Sequence, residues 1–274
     1  MTGDASSVSV GRVESWRGGD LYEAYMGRWS RLLAPEYVAW LDPPGAATWL
    51  DVGCGTGVLT QAVLDGCAPA SVLGVDPSAG FVADARQRVT DPRASFEVGD
   101  AESLPVDPGS VDVVVGGLVL NFVPDPARAL ASMRDAARSG GTVGAYVWDY
   151  GEGMAMVRHL FDAALEVDPQ GAAAHDEGRR FPLCRPGPLR QAFADAGLRS
   201  VEVDEVVVPT VFRDVDDYWS PFLAGQFPAP AYVCSLPPET REALRAAVVA
   251  GLPVADDGSV PLTARAWVAR GTVA

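Results

Sequence analysis

Short apolar runs alternate with helical patterns through the first half of the chain, and this alternation limits the fold more than any other feature. Between the runs, apolar residues recur at three- and four-residue spacing, which is typical of amphipathic helices. Strands that alternate with helices imply βαβ crossovers and a parallel sheet in an α/β fold. Five strands are predicted in this half of the chain, at residues 47–52, 71–76, 94–100, 111–117 and 142–149. A turn at 139–141 precedes the last of them.

The second half of the chain has a less regular pattern. Residues 201–208 and 262–271 alternate between apolar and polar side chains and predict two further strands, seven in all. Aromatic residues gather between those two strands, so we expect residues 210–260 to form an insertion that acts as a lid. Between positions 19 and 41, apolar and aromatic residues recur at helical spacing and predict an amino-terminal cap.

The charge of the chain excludes several function classes. All 21 basic residues are arginines and the formal net charge is −15, so nucleic acid and membrane surfaces are not expected partners. The lack of lysine excludes Schiff-base chemistry, which needs an amine nucleophile. Four cysteines without a C-x-x-C pair and two histidines predict no metal site. The first residues lack the basic and apolar segments of a signal peptide, so we expect a cytoplasmic protein.

A glycine-rich turn follows the first predicted strand and is the strongest chemical signal. It contains Gly53, Gly55 and Gly57, and such a turn lets the backbone approach a ligand and directs amides at its anionic part. The dinucleotide-binding fingerprint would need a glycine where this chain has Val58. Asp51, two residues before the first glycine, suits a cationic ligand group such as the ammonium of an amino acid.

This stretch, WLDVGCGTG, resembles motif I of the class I S-adenosylmethionine (SAM)-dependent methyltransferases. The likeness covers residues 20–150 and is greatest for the branch that includes ubiquinone and menaquinone biosynthesis. It implies SAM as cofactor and a Rossmann-like sheet that is mostly parallel, with an antiparallel last strand and helices on both faces. It also implies cofactor contacts at Asp76 and Pro77 for the ribose, Asp100, Ala101 and Glu102 for adenine, and Gly117 and Leu118 for the methionine portion.

The segment YMGRWSR is similar to the amino-terminal segment of glycine N-methyltransferase, and this likeness puts Tyr25 and Arg31 near the SAM carboxylate. We therefore expect one domain over residues 1–274. Within it, residues 19–150 would hold SAM and residues 151–274 would bind the acceptor.

The resemblance implies methyl transfer to an oxygen, nitrogen or carbon atom of a small molecule, such as an aromatic or secondary metabolite. Two other functions stay open: a non-methylating SAM-binding protein or cyclase, and an NAD(P)-dependent oxidoreductase, whose ribose-binding acid has the same spacing as Asp76. A general base, where the acceptor needs one, would be His159, His175 or Asp149, with Glu152 as a further candidate. The residues expected to line the acceptor pocket are Asn121, Phe122, Trp148, Trp219, Phe222 and Tyr232.

Overall fold

Seven strands form a single sheet in the computed structural model, which describes residues 23–225 and 227–274. The strand order across the sheet is β3-β2-β1-β4-β5-β7-β6. Residues 19–22 of the predicted cap lie outside the described residues. The strands are β1 (Thr48–Val52), β2 (Ser71–Asp76), β3 (Ala94–Val98), β4 (Val111–Gly117), β5 (Ala137–Trp148), β6 (Arg199–Phe212) and β7 (Val260–Thr272).

Strands β1 to β5 pair in parallel, and β7 lies between β5 and β6, antiparallel to both. The predicted mostly parallel sheet with an antiparallel last strand is therefore confirmed. The strand order reverses between β1 and β4. In open α/β sheets ligands bind at such a point, outside the carboxyl ends of the strands.

Helices cover the sheet and supply the insertion between β6 and β7. A π-helical turn, Glu23–Gly27, leads into the first of them, and a 3₁₀ turn, Ser220–Leu223, lies within the insertion. The helices are α1 (Arg28–Leu41), α2 (Val58–Cys67), α3 (Ala79–Arg88), α4 (Pro126–Ala136), α5 (Ala155–Val167), α6 (Pro169–His175), α7 (Glu177–Arg180), α8 (Pro186–Asp195), α9 (Val215–Trp219), α10 (Pro228–Ser235) and α11 (Pro238–Gly251).

The core lies on both faces of the central strands. Val113, Val114 and Val115 of β4 have no solvent exposure, which explains why this strand is apolar at nearly every position. The Ser78 hydroxyl accepts the Phe81 N–H at 3.3 Å and caps the amino terminus of α3. Among the described residues, no helix is long and apolar enough to cross a membrane.

The insertion between β6 and β7 packs into the core through its aromatic residues. Tyr218 and Phe222 are fully buried, and the Tyr218 hydroxyl donates to the Met156 carbonyl oxygen at 2.8 Å. Phe222 meets Tyr25 edge to face with ring centroids 5.8 Å apart. The insertion therefore lies against α5 and against the π-helical turn before α1.

Candidate functional site

The glycine-rich turn joins β1 to α2 at the point where the strand order reverses. Gly53, Gly55 and Gly57 have φ angles of +71°, +52° and +86°, values that residues with a Cβ rarely adopt. A Cβ on Gly53 would collide with the Val119 side chain, whereas a Cβ on Gly55 would meet no described atom within 4 Å. Gly55 therefore faces open space, and a ligand is able to approach the backbone there.

Asp76 lies at the end of β2 beside this turn. Its Oδ2 accepts the Gly55 N–H at 3.0 Å, and its Oδ1 accepts the Ser78 N–H at 2.8 Å. Burial raises the pKa of this carboxyl, while the two amide hydrogen bonds act in the opposite direction. Asp76 thus ties the glycine turn to the start of α3 and brings a negative charge next to the space in front of Gly55.

Asp51 is a second carboxyl group at the turn and is 1% exposed. Its Oδ2 accepts the Thr60 hydroxyl at 2.7 Å, and its Oδ1 has no hydrogen-bond partner among the described residues. Burial raises the pKa of Asp51 to about 7, although the hydrogen bonds with Thr60 lower it. A buried carboxyl oxygen without a partner suits a cationic ligand group.

The carboxylates after β3 differ in their surroundings. Asp100 is exposed, and its Oδ1 accepts the Glu102 N–H at 2.8 Å. The Glu102 side chain turns to the start of α4, where it accepts the Asp125 N–H at 3.1 Å and lies 3.6 Å from Arg128. The Glu102 side chain therefore stabilises the start of α4. Asp100 is then the carboxylate of this segment that faces solvent.

A cavity of about 50 Å³ lies beside the ends of β4 and β5. Leu118, directly after β4, has a φ angle of +58° and donates its N–H to the Tyr146 carbonyl oxygen at 2.9 Å. The cavity therefore borders the segment that follows Gly117. It is lined by Tyr25, Met26, Leu118, Phe122, Trp148, Tyr150, Glu177, Phe227 and Pro228.

Comparisons with known proteins agree with this geometry. A family model described as a methyltransferase domain matches residues 50–144. Malonyl-acyl-carrier-protein O-methyltransferase of Geobacter sulfurreducens is 32% identical over 206 residues, which cover 72% of this chain and 74% of that protein. The chain belongs to the class I SAM-dependent methyltransferase family. The family and cofactor that motif I indicates are thereby confirmed.

Other relatives of this chain match over shorter stretches. An uncharacterized methyltransferase of Mycobacterium tuberculosis is 36% identical over 115 residues, 42% of this chain and 45% of that protein. The chain spans between about a third and a half of the length of the first curated relatives that it matches.

Solved structures share the fold of this chain at low sequence identity. Phosphoethanolamine N-methyltransferase 2 of Haemonchus contortus, in complex with SAM, is 16% identical with a TM-score of 0.58, covering 97% of this chain and 61% of that chain. The (4+2)-cyclase SpnF is 20% identical with a TM-score of 0.54, covering 89% of this chain and 81% of that chain.

The candidate bases lie outside the cavity lining. His159 is half-buried on α5, and burial lowers its pKa. His175 is exposed, with Nδ1 2.8 Å from the Gly171 carbonyl oxygen. Asp149 is 3% exposed, and its Oδ2 accepts Nη2 of Arg265 at 2.7 Å. Its Oδ1 accepts two amides of the turn after β5. These contacts favour a structural role for Asp149.

The candidate acceptor residues separate into two groups. Phe122 and Trp148 line the cavity, and Asn121, directly before Phe122 in the sequence, is half-buried. Trp219 instead lines an open groove of about 420 Å³ on the outer side of the insertion. Tyr232 is buried away from the cavity lining, and its hydroxyl donates to Asp168 Oδ2 at 3.2 Å.

The candidate cofactor residues also differ in position. Tyr25 and Leu118 line the cavity, whereas Arg31 lies on the exposed side of α1 and Pro77 is exposed after β2. Phe222, expected at the acceptor pocket, lies behind Tyr25 with no exposed surface. The cavity thus combines one residue expected near the SAM carboxylate with residues expected near the acceptor.

Sequence reasoning missed four residues of the cavity lining, since Phe227 belongs to the aromatic group of the insertion that was expected to cover the acceptor pocket. Glu177 is one of 36 acidic residues and carries no motif of its own, although Asp176 before it and Gly178 after it indicate a tight turn. The others are apolar or aromatic side chains that resemble ordinary core residues. The missed residues are Met26, Tyr150, Glu177 and Pro228.

Proposed function

We propose that this protein transfers the methyl group of SAM to a small-molecule acceptor whose reacting end enters the cavity. The observation that carries this proposal is the contact between the two parts of the site. The Val119 side chain packs against Gly53 of the glycine turn, and the preceding residue, Leu118, lines the cavity. A ligand that lies along the turn therefore ends next to the cavity.

The residues at the turn fit SAM. The open space before Gly55 would admit the cofactor to the backbone, and the carboxyl oxygen of Asp51 without a partner would meet its ammonium group. Asp76 would bind the ribose hydroxyls, and Asp100 is the candidate for the adenine amino group. When bound, SAM supplies a methyl group that its sulfonium has already activated.

The protein's own contribution is position and the exclusion of water. Trp148 and Tyr150 at the end of β5 are at most 4% exposed, and Phe227 of the insertion is 5% exposed. Such walls hold an acceptor atom in line with the methyl group and keep the reaction away from bulk water. In this proposal residues 210–260 act as the lid, and residues 151–274 form the acceptor-binding part of a single domain.

Calorimetric titration with S-adenosylhomocysteine and with NAD tests the cofactor assignment. We expect binding of the first and none of the second. Asp76→Ala should weaken binding by about 1–3 kcal/mol, the usual cost of losing a hydrogen bond to a charged group. The matched control is Asp65→Ala at the exposed end of α2, which should leave the affinity unchanged. Equal affinities for wild type and Asp76→Ala would refute the role of Asp76.

Mass spectrometry of small acceptors incubated with SAM tests the transfer itself. We expect a product that gains the mass of one methylene group. The fold neighbour SpnF is described as a cyclase, so a non-methylating role is the second candidate. Binding of S-adenosylhomocysteine without methylation across amine, phenol, alcohol, carboxylate and carbon acceptors would favour that role.

A further inference from the structure

Two hydrogen-bond donors in the cavity wall lack a partner among the described residues. Tyr25 and Trp148 both line the cavity and are at most 2% exposed. The Tyr25 hydroxyl and the Trp148 Nε1 are buried, and neither makes a hydrogen bond. Buried tyrosine and tryptophan side chains usually find a partner for these groups, because a buried donor without one is costly. Such donors in the wall of an apolar ligand cavity indicate a role in recognition.

Their place in the cavity separates these two donors from other unpartnered groups of the protein. The Tyr37 hydroxyl and the Trp49 Nε1 are also buried without a partner, but neither residue is among those that line the cavity. Tyr25 lies in the π-helical turn before α1, a kind of turn that occurs frequently at functional sites. Trp148 is the last residue of β5. The fold therefore brings two donors from distant segments to the wall of one cavity.

Both groups act as donors and not as acceptors in this cavity. An indole N–H donates only. Burial raises the pKa of the Tyr25 hydroxyl, and the Glu177 carboxylate raises it further, so the proton stays on the oxygen. The Tyr25 ring is held in place by stacking on Phe227 with ring centroids 5.4 Å apart, and by an edge-to-face contact with Phe222 at 5.8 Å. The cavity thus offers hydrogen-bond donors from a rigid wall.

We propose that the cavity selects acceptors that carry a neutral carbonyl oxygen at the end that enters, and that Tyr25 and Trp148 donate hydrogen bonds to this oxygen. This inference rests on the proposed methyltransferase function and names its acceptor class. The carbonyl oxygen is the recognised group, and the methyl group passes to another atom of the same molecule. The volume of about 50 Å³ admits such a group but not a large molecule.

The chemistry of the wall favours a carbonyl oxygen over other oxygen groups. A carbonyl oxygen has two lone pairs, so it is able to accept from both donors, and it brings no hydrogen that needs an acceptor of its own. A carboxylate would bring a negative charge into the cavity, where burial is costly unless the charge is paired. No arginine or histidine is among the described lining residues to pair with it.

Ligand-observed NMR, with and without S-adenosylhomocysteine, tests this recognition through three probes of nearly equal shape: 2-butanone, 2-methyl-1-butene and propionate. The second probe has a methylene group in place of the carbonyl oxygen, and the third carries a negative charge. We expect Tyr25→Phe to weaken the binding of 2-butanone at least about threefold relative to 2-methyl-1-butene, because only the ketone accepts the hydrogen bond that is lost. Propionate should bind wild type more weakly than 2-butanone does.

Tyr37→Phe is the matched control, because it removes an equally buried and unpartnered hydroxyl outside the cavity lining. It should leave the binding of all three probes unchanged. Tyr25→Phe should keep at least the wild-type midpoint of urea unfolding, since its hydroxyl has no hydrogen bond to lose. Tyr218→Phe should instead lower that midpoint, because the Tyr218 hydroxyl donates to the Met156 carbonyl oxygen at 2.8 Å.

Three outcomes would overturn the proposal. The first is that Tyr25→Phe changes the relative affinity for 2-butanone and 2-methyl-1-butene by less than about threefold; a loss of S-adenosylhomocysteine affinity in the same variant would then assign the hydroxyl to the cofactor. The second is a lower urea midpoint for Tyr25→Phe, which would reveal a partner in the free protein. The third is tighter binding of propionate than of 2-butanone. Ketone binding that depends on Tyr25, without binding of S-adenosylhomocysteine, would support this recognition and refute the proposed methyltransferase function.

Discussion

The ionisation of Asp51 should be measurable in the stability of the whole protein. Burial raises the pKa of Asp51 to about 7 in the fold, from the ordinary value of 3.8 for an aspartate. Between about pH 4 and pH 7 the native state therefore holds a proton that the unfolded chain has released, so the free energy of unfolding falls as pH rises. Each pKa unit corresponds to about 1.4 kcal/mol, so about three units give a loss of about 4 kcal/mol.

Urea unfolding of wild type and Asp51→Asn between about pH 4 and pH 8 measures this loss. The asparagine cannot ionise but still accepts the Thr60 hydroxyl, so the stability of the variant relative to wild type should increase with pH. Asp112→Asn is the control, and its stability relative to wild type should not change with pH in this range. The amide and hydroxyl of Thr48, with Arg138, lower the pKa of Asp112 to about 2, so its stabilisation is lost only below about pH 4. Parallel pH profiles for wild type and Asp51→Asn would refute the reasoning.

The same carboxyl group should also link cofactor binding to the release of a proton. An ammonium group next to Asp51 would favour its ionised form and lower its pKa. Near pH 6, binding of S-adenosylhomocysteine should then release a proton from wild type but not from Asp51→Asn. Calorimetry in two buffers of different ionisation enthalpy measures that proton, and equal release by both proteins would contradict the assignment of Asp51.

Three further perturbations separate binding from stability. Gly55→Ala should cost only about 1 kcal/mol of stability, from its positive φ, but should lower calorimetric affinity for S-adenosylhomocysteine at least about tenfold, and unchanged affinity would count against the turn. Arg158→Ala should cost about 3–5 kcal/mol in urea unfolding because it leaves the buried Asp176 with only the longer, 3.9 Å contact to the exposed Arg179, whereas a loss below about 1 kcal/mol would contradict this. Phe227→Ala should raise the acceptor KM while Trp219→Ala leaves it unchanged, and the reverse order would move the acceptor site to the outer groove.

The sequence predicts the central strands well because one physical rule controls each of them. Burial on both faces requires apolar residues at nearly every position of β4, and the observed bounds of that strand are those predicted. The ends of strands β5 and β6 are harder to predict from the sequence. Residues 139–141 look like a turn, yet β5 runs from Ala137 to Trp148 through an irregular register with β4. Strand β6 extends to Arg199–Phe212 because β7 pairs with it along its length, a contact that local pattern does not reveal.

The two halves of the site differ in how much the sequence reveals, because one is local and the other is tertiary. The glycine turn is contiguous, and its backbone angles require glycine wherever the motif occurs. The cavity instead collects side chains from at least five separate segments, and only the packed fold makes neighbours of Tyr25, Trp148 and Phe227. Glu177 lies between these extremes. Its place depends on the Asp176 side chain, which accepts the Gly178 N–H, and on the close packing of Gly178 against Gly151, and these contacts are visible only in the fold.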